Sequence, residues 1–228
     1  MKITIIHGQA HKGSTYNVAH LLAKKVGGEV TEFFLPRDFG EFCLGCTKCF
    51  VTGEANCPHY EKLKPITEAL DAADLIILAS PVYVYHCTGA MKALLDHYGY
   101  RWMAHRPEEC MFKKQGVVIS TAAGGGTKSA NKDMADSLFF WGIPKIYKIG
   151  LNVFAINWDK VSPGKMKKIE KVTTKVAAQI RDNHGKVKPG LNTKKWFTIM
   201  HFAQKKGWNK ADVDYWKAKG WTGKRRPW

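Results

Sequence analysis

Acidic residues are scarce in this 228-residue chain, which carries 19 Asp and Glu against 36 Lys and Arg and so has a net charge of +17. It contains no run of about 18 apolar residues, so no transmembrane helix is expected. A strand-like segment stands at the very start, without the pattern of a secretory signal peptide, and we therefore expect a cytoplasmic protein. Its six cysteines then favour thiol, metal or cluster chemistry over disulfides.

Two common nucleotide-binding fingerprints are also absent. Residues 8–15 have the glycine frame of a P-loop, but Ser14 stands where the phosphate-binding lysine is needed, and no G-x-G-x-x-G occurs. The segment instead offers a loop rich in hydroxyl and amide groups between a β-branched strand and a helix, with Ser14 or Thr15 as the expected cap. Such a loop suits one phosphate ester. An ordinary strand-to-helix turn is an equally good interpretation of this segment alone.

Strand-like and helical segments alternate along the first 184 residues, which predicts an α/β protein with a doubly wound, five-stranded parallel sheet. The predicted strands are 2–7, 29–35, 74–79, 116–121 and 145–151, and the predicted helices are 15–26, 60–73, 88–97, 128–141 and 162–182. In the flavodoxin-like strand order 2-1-3-4-5, the ligand lies outside the carboxyl ends of strands 1 and 3. The loops after strands 1, 3 and 4 should therefore border one crevice. His7, which closes strand 1, is expected to be a packing residue.

Four motifs in sequence order resemble the NADPH-dependent FMN reductase branch of the flavodoxin-like superfamily. They are residues 8–15, 80–83, 88–96 and the glycine-rich loop 120–126. The resemblance covers residues 1–182 and is nearest to members that carry a cysteine-rich loop, as the iron–sulfur flavoproteins do. It implies an FMN-dependent oxidoreductase that takes hydride from NAD(P)H and reduces a small acceptor, such as a quinone, a nitroaromatic, a flavin or a metal ion.

The same resemblance assigns residues to the cofactor. It implies that the FMN phosphate is bound by Gln9, His11, Ser14, Thr15 and Asn17. It implies that the isoalloxazine ring lies against Pro81, Val82, Tyr83, Val84, Tyr85, Thr121, Ala122, Gly124, Gly125 and Gly126. Gln9 and His11 depart from the serine and arginine that are usual in the family, and an imidazole is a weaker, pH-dependent phosphate partner. No catalytic side chain is expected, because the flavin carries the hydride and the electrons.

A second motif lies in residues 42–58, where Cys43, Cys46, Cys49 and Cys57 have the spacing C-x2-C-x2-C-x7-C-P. Four thiolates could hold a [4Fe–4S] cluster, as the resemblance to iron–sulfur flavoproteins implies. The alternatives are a tetrahedral zinc site and a metal-free loop with structural or reactive thiols. With a cluster, the chain would be an electron-transfer module between protein partners.

Residues 185–228 differ in composition from the domain formed by residues 1–184. They contain twelve Lys and Arg, two Asp and five of the eight tryptophans, which predicts a basic, Trp-rich helical extension. Its apolar residues are flanked by lysines and include Trp196, Phe197, Ile199, Met200 and Phe202. We favour packing of this patch on a partner subunit over contact with an anionic membrane surface.

Several partners follow as expectations. The family implies a homodimer or homotetramer with FMN at subunit interfaces. The basic surface could attract an acidic redox protein, and Arg101 and Arg106 are candidate contacts for the phosphate of NADPH. No recognition motif supports specific binding of nucleic acid, although basic patches attract phosphate unselectively.

Overall fold

The computed structural model describes residues 1–228 and contains one five-stranded parallel sheet. Its strands are β1 (Lys2–His7), β2 (Glu29–Phe34), β3 (Leu75–Ala79), β4 (Gln115–Ala122) and β5 (Lys145–Asn152). They lie in the order β2-β1-β3-β4-β5, so the predicted flavodoxin-like topology is confirmed. Every predicted strand boundary lies within one residue of the observed boundary.

Eight α-helices surround or follow the sheet. They are α1 (Ser14–Val26), α2 (Lys48–Val51), α3 (Tyr60–Ala72), α4 (Gly89–His97), α5 (Thr127–Phe140), α6 (Pro163–Asn183), α7 (Leu191–Lys205) and α8 (Lys210–Ala218). Helices α1 and α3 to α6 are the five that the periodicity predicts, again within one residue at each end. Helix α2 is a single turn inside the cysteine-rich loop, too short to give a periodic signal. None of the helices combines the length and the apolar character needed to span a bilayer.

The side chains of the central strands alternate between two apolar layers, because successive residues of a strand point to opposite faces of the sheet. Ile76 and Leu78 of β3 belong to the layer that α3, α4 and α5 cover. Leu75 and Ile77 belong to the layer that α1 and α6 cover. Both faces of the sheet are therefore closed by helices, and the loops at the strand ends are left to form a site.

The C-terminal extension packs on its own chain. Phe197 of α7 and Trp216 of α8 are fully buried in a third apolar cluster together with Phe112. The expectation that the apolar patch packs on a partner subunit is therefore wrong for Phe197. Other members of the patch remain open to solvent, with exposed fractions of 40% for Trp196 and 59% for Phe202.

Candidate functional site

The loops after β1, β3 and β4 meet at the carboxyl edge of the sheet and enclose a cleft of about 220 Å³. Main-chain hydrogen bonds join these loops, since Gly8 N–H donates to Ala79 O (2.7 Å) and Val82 N–H donates to Thr121 O (2.9 Å). Gly8 is needed for this approach, because a Cβ there would lie 2.8 Å from Thr88 Oγ1. The cleft thus occupies the switch point of the strand order, where open α/β sheets bind their ligands.

Most of the predicted cofactor-binding residues line this cleft. The structure places nine of them in its wall: Gln9, His11, Ser14, Thr15, Pro81, Val82, Tyr83, Thr121 and Ala122. Six predicted residues lie outside the wall: Asn17, Val84, Tyr85, Gly124, Gly125 and Gly126. The contacts of all fifteen with a bound flavin stay predictions.

The start of α1 forms the polar end of the cleft. The helix begins at Ser14, and its N-cap is Gly13, which supplies no side-chain hydrogen bond, so the expected capping by Ser14 or Thr15 is wrong. Thr15 Oγ1 instead lies 2.6 Å from Thr121 Oγ1 in a buried contact between α1 and β4. The first N–H groups of a helix lack intrahelical partners and carry the positive end of the dipole, so this end of the cleft favours an anion such as a phosphate.

The polar side chains around the start of α1 differ in their hydrogen-bond partners and in their exposure. Gln9 Nε2 donates to Tyr83 Oη (2.8 Å) and so ties the loop after β1 to the loop after β3. Asn17 Nδ2 donates to Gly13 O (2.9 Å) and supports the loop main chain instead of lining the cleft. His11 is exposed at the mouth of the cleft.

The loop after β3 contains a tight, strained turn. Tyr83 and His86 exchange main-chain hydrogen bonds of 2.9 and 3.0 Å, which makes Val84 and Tyr85 the central residues. Both have positive φ angles, 48° and 66°, at positions that such turns normally give to Asn or Gly. Val84 is 93% exposed, so packing does not account for its conformation. Backbone strain of this kind concentrates at ligand sites.

The glycine loop after β4 packs directly against this turn. Gly126 has a φ of +88°, and a Cβ there would lie 2.7 Å from Val82 Cγ1 and 3.0 Å from Tyr85 Cα. A Cβ on Gly124 would meet no atom within 4 Å. Gly126 therefore permits the two loops to touch, whereas Gly124 leaves open space.

Sequence reasoning missed the loop after β5. Val153, Ala155 and Ile156 line the cleft, because β5 continues its pairing with β4 and Val153 N–H donates to Ala122 O (2.9 Å). The signal was available in the predicted strand order, which places strand 5 beside strand 4. Ile156 is 94% exposed and leaves an apolar surface at the cleft mouth.

His7 also lines the cleft, although it is buried. Its Nε2 and the Nε2 of His20 each lie 2.7 Å from Glu32 Oε1. Burial lowers the pKa of His7 below its usual 6.5, and the hydrogen bond and charge of Glu32 oppose this shift only in part. His7 is therefore neutral at pH 7 and stacks on Phe34 at 4.5 Å between ring centroids, which suits a packing residue.

The four cysteines of the loop 42–58 line a second, smaller cavity of about 60 Å³ beside the end of α4. Burial, followed by repulsion from the Cys57, Cys43 and Cys46 thiols, raises the pKa of Cys49 to about 11. Without a bound metal, Cys49 is therefore a protonated thiol at neutral pH and a poor nucleophile. A bound cation would offset the repulsion among four thiolates, so this set of donors fits a thiolate-bound metal centre.

Two histidines extend the donor set of this cavity. The candidate ligand atoms of Cys57, His59 and His97 all lie within 4.8 Å of one another. His97 Nδ1 is 2.7 Å from Ala93 O, which leaves Nε2 directed at His59 Nδ1 (2.8 Å). The structure therefore offers a mixed Cys and His donor set for zinc in addition to the four-cysteine zinc site that is the alternative predicted from the sequence.

Arg101 and Arg106 are both buried and already have carboxylate partners. Arg101 pairs with Asp71, and Arg106 Nη1 donates to Asp212 Oδ1 (2.5 Å). The hypothesis that these two arginines contact the phosphate of NADPH is therefore wrong.

Comparison with known proteins identifies the family. Residues 1–157 match the family model described as NADPH-dependent FMN reductase. The chain belongs to this family. An iron-sulfur flavoprotein of Archaeoglobus fulgidus is 27% identical to this FMN reductase family member over 199 residues, which are 85% of this chain and 86% of the relative. An NADPH azoreductase of a Bacillus species is 28% identical over 132 residues, 58% of this chain and 64% of the relative.

A solved structure supports the same fold. The NAD(P)H:quinone oxidoreductase from Methanothermobacter marburgensis matches this family member with a TM-score of 0.61 and 15% identity, over 76% of this chain and 94% of the other. Membership of the family confirms the predicted activity: the protein is an FMN-dependent oxidoreductase that uses NAD(P)H as its donor. The cleft residues fit FMN, because an end that favours a phosphate adjoins an apolar wall that includes Pro81 and Val82.

Proposed function

We propose that the cleft at the switch point holds FMN, with its phosphate at the start of α1 and its ring against residues 81–83 and 121–122 of the cleft wall. The observation that carries this assignment is the meeting of an anion-favouring helix start with two closely packed loops in one cleft. FMN supplies the hydride and electron chemistry when it is bound. The protein contributes binding and orientation.

The side chains that orient the flavin are already fixed in place. The Thr15–Thr121 hydroxyl contact and the Gln9–Tyr83 hydrogen bond connect the three loops, so little ordering is needed when the cofactor binds. Ser14 lies at the first helical position and lines the cleft. Its hydroxyl is the side-chain donor that we assign to the phosphate.

Substitution of the hydroxyl residues tests this assignment. Ser14→Ala combined with Thr15→Ala should weaken FMN binding by about 1–3 kcal/mol, or roughly 5- to 150-fold in Kd, because charge-assisted hydrogen bonds are lost. Ser162→Ala is a matched control, since Ser162 is also a hydroxyl residue at a helix start, where it accepts a hydrogen bond from Lys165 N–H. Titration with FMN followed by fluorescence gives the affinities. Equal affinity of all three proteins would refute the assignment.

The acceptor is a small molecule in this proposal. Quinones, nitroaromatics, free flavin and metal ions are the candidates, and the cleft mouth offers an exposed apolar surface at Ile156 for such a partner. Steady-state oxidation of NADPH and NADH with each acceptor class would rank them. Failure of every small acceptor, together with slow oxidation of both donors, would contradict this function.

A second candidate function rests on the cysteine cavity. We propose that Cys43, Cys46, Cys49 and Cys57 hold a [4Fe–4S] cluster, because all four line one cavity and a relative of similar length is called an iron-sulfur flavoprotein. In that case the protein would pass electrons between protein partners, and its +17 charge would attract an acidic one.

Iron and acid-labile sulfide assays on anaerobically purified protein, with a visible spectrum, test the second candidate. About four irons per chain and a broad shoulder beneath the flavin bands support the cluster. Cys43→Ser should lose the iron, whereas Cys110→Ser should keep it, because Cys110 lies outside the cavity. Zinc instead of iron would support the alternative metal, and protein free of both would leave the thiols structural.

Assembly and location remain proposals. We expect a homodimer or homotetramer that covers exposed apolar side chains in the loops after β3 and β5, such as Tyr85 and Phe154. Sedimentation analysis of the wild type and of Phe154→Ser would test this, and a monomeric wild-type protein would contradict it. The cytoplasmic location and the division into residues 1–184 and 185–228 stay predictions.

A further inference from the structure

A buried ion pair links the C-terminal extension to the cysteine-rich loop. Arg106 Nη1 donates to Asp212 Oδ1 (2.5 Å), and the two residues are 6% and 0% exposed. Asp212 lies in the first turn of α8. This pair plays no part in the flavin cleft described above.

The other side of the guanidinium holds the main chain of the cysteine loop. Arg106 Nη2 donates to Cys49 O, and Nη1 also lies 3.4 Å from Phe50 O. Asn209, the N-cap of α8, donates through Nδ2 to the same Phe50 carbonyl (3.2 Å). Because α2 is only four residues long, its carbonyls have few helical partners. Donors from outside the loop therefore satisfy the carbonyls beside Cys49.

The carboxylate of this pair is itself fixed by neighbours. Asp212 Oδ2 accepts a hydrogen bond from His105 Nδ1 (2.7 Å), and His105 O accepts one from Trp216 Nε1 (2.5 Å). The Phe50 ring packs edge-on against His105 at 4.7 Å between centroids. The pair therefore has a defined direction, with its cation toward the cysteine loop and its anion toward α8.

We propose that Arg106 and Asp212 are positioning residues, through which the C-terminal extension fixes the cysteine-rich loop and sets the electrostatic field at its metal centre. The positioning role needs only the contacts described here. The electrostatic role rests on the iron–sulfur centre of the second candidate function. A cation near a metal centre favours its reduced, more negative state, and an anion disfavours it.

Hydrogen–deuterium exchange on the full-length protein tests the positioning role. In Arg106→Gln and Asp212→Asn, amides of residues 48–51 should exchange about tenfold faster or more, since a lost buried partner shifts local opening by at least that factor. Arg106→Lys should retain part of the protection. Arg101→Gln is the matched control, because Arg101 is equally buried but pairs with Asp71 of α3.

The reduction potential of the iron centre tests the electrostatic role. Arg106→Gln should lower the potential and Asp212→Asn should raise it, because these variants remove charges of opposite sign. A purely structural role would move both potentials in one direction or only reduce the iron content.

Several results would overturn the proposal. Unchanged exchange in both variants would refute positioning, and Arg106→Lys serves as the measured variant if the other two fail to fold. If the reduction potential shifted in the same direction in Arg106→Gln and in Asp212→Asn, the electrostatic role would be refuted. A protein without an iron centre would refute the second candidate function and the electrostatic role with it, while the exchange result would still decide positioning.

Discussion

Replacement of Gly126 by Ala offers a sharp test of how the cleft is built. Gly126 combines a φ of +88° with a position where a Cβ would lie 2.7 Å from Val82 Cγ1 and 3.0 Å from the main chain at Tyr85. Two separate costs therefore apply to any side chain there, one from the backbone conformation and one from contact.

The expected loss in the free energy of unfolding is the sum of these two contributions, the backbone conformation and the steric contact. An L-residue in the left-handed region costs about 1–2 kcal/mol, and displacement of the Val82 side chain from its rotamer adds about 0.5–1.5 kcal/mol. Gly126→Ala should therefore lower the free energy of unfolding by about 1.5–3.5 kcal/mol. FMN affinity should fall as well, because the backbone at Tyr85 cannot give way without moving the turn after β3.

Gly124→Ala is the control, because it lies in the same loop and a Cβ there meets nothing within 4 Å. Urea unfolding of the two variants and the wild type gives the stabilities, and fluorescence titration gives the affinities. The reasoning fails if Gly126→Ala is as stable as Gly124→Ala, since neither the φ angle nor the close approach would then constrain the loop.

Three further predictions concern the turn, the buried histidine and the extension. Val84→Asn should raise the free energy of unfolding by about 1 kcal/mol, because Asn tolerates positive φ and the exposed Val84 loses no packing; a lower melting temperature would argue against strain. The pKa of folded His7 lies below its ordinary 6.5, so the unfolded state binds more protons and stability should fall as the pH drops through and below 6.5. His7→Gln should reduce the pH dependence of the free energy of unfolding, measured by urea unfolding at several pH values. An unchanged pH dependence would exclude His7 as its source. Phe197→Ala should cost about 3–5 kcal/mol and Phe202→Ala less than about 0.5 kcal/mol, so similar losses would contradict the packing of α7 on its own chain.

The fold was predictable because its signals are local. The β-branched run from Ile3 to Ile6 marks β1, Gly8 marks the tight turn that follows, and five such strand and helix pairs leave few possible topologies. The family motifs then placed the cofactor loops at the strand ends. The strand order is the one non-local feature that the prediction of the fold requires, and it was taken from the known flavodoxin-like order.

The contacts that the sequence did not reveal join distant segments. Arg106 and Asp212 are 106 positions apart, and neither lies in a sequence motif from which this ion pair could be predicted. Burial reversed the interpretation of Arg106, because this predicted phosphate contact already pairs with the carboxylates of Asp212 and Glu54 and with two carbonyls. The loop after β5 was missed for a related reason, since Val153 enters the cleft through strand pairing rather than through a motif.

Helix α4 connects the two candidate centres and bears on the choice between the two functions. At its start, Thr88 Oγ1 donates to Gly8 O (2.6 Å) in the loop after β1 that borders the cleft, whereas His97 at its end lines the cysteine cavity. Thr88 and His97 are nine positions apart, and a helical rise of 1.5 Å per residue therefore separates these two points by about 13.5 Å within one chain.

This rigid spacing makes the two functions separable by experiment. Reduction of a small acceptor needs only the cleft, whereas transfer to a protein partner through a cluster needs both ends of α4. Cys57→Ser should therefore abolish reduction of a one-electron protein acceptor, while FMN affinity, which depends on the opposite end of α4, stays at the wild-type value. Loss of FMN affinity in Cys57→Ser would show that the cysteine loop also shapes the cleft, and full retention of protein reduction would remove the cluster from the electron path.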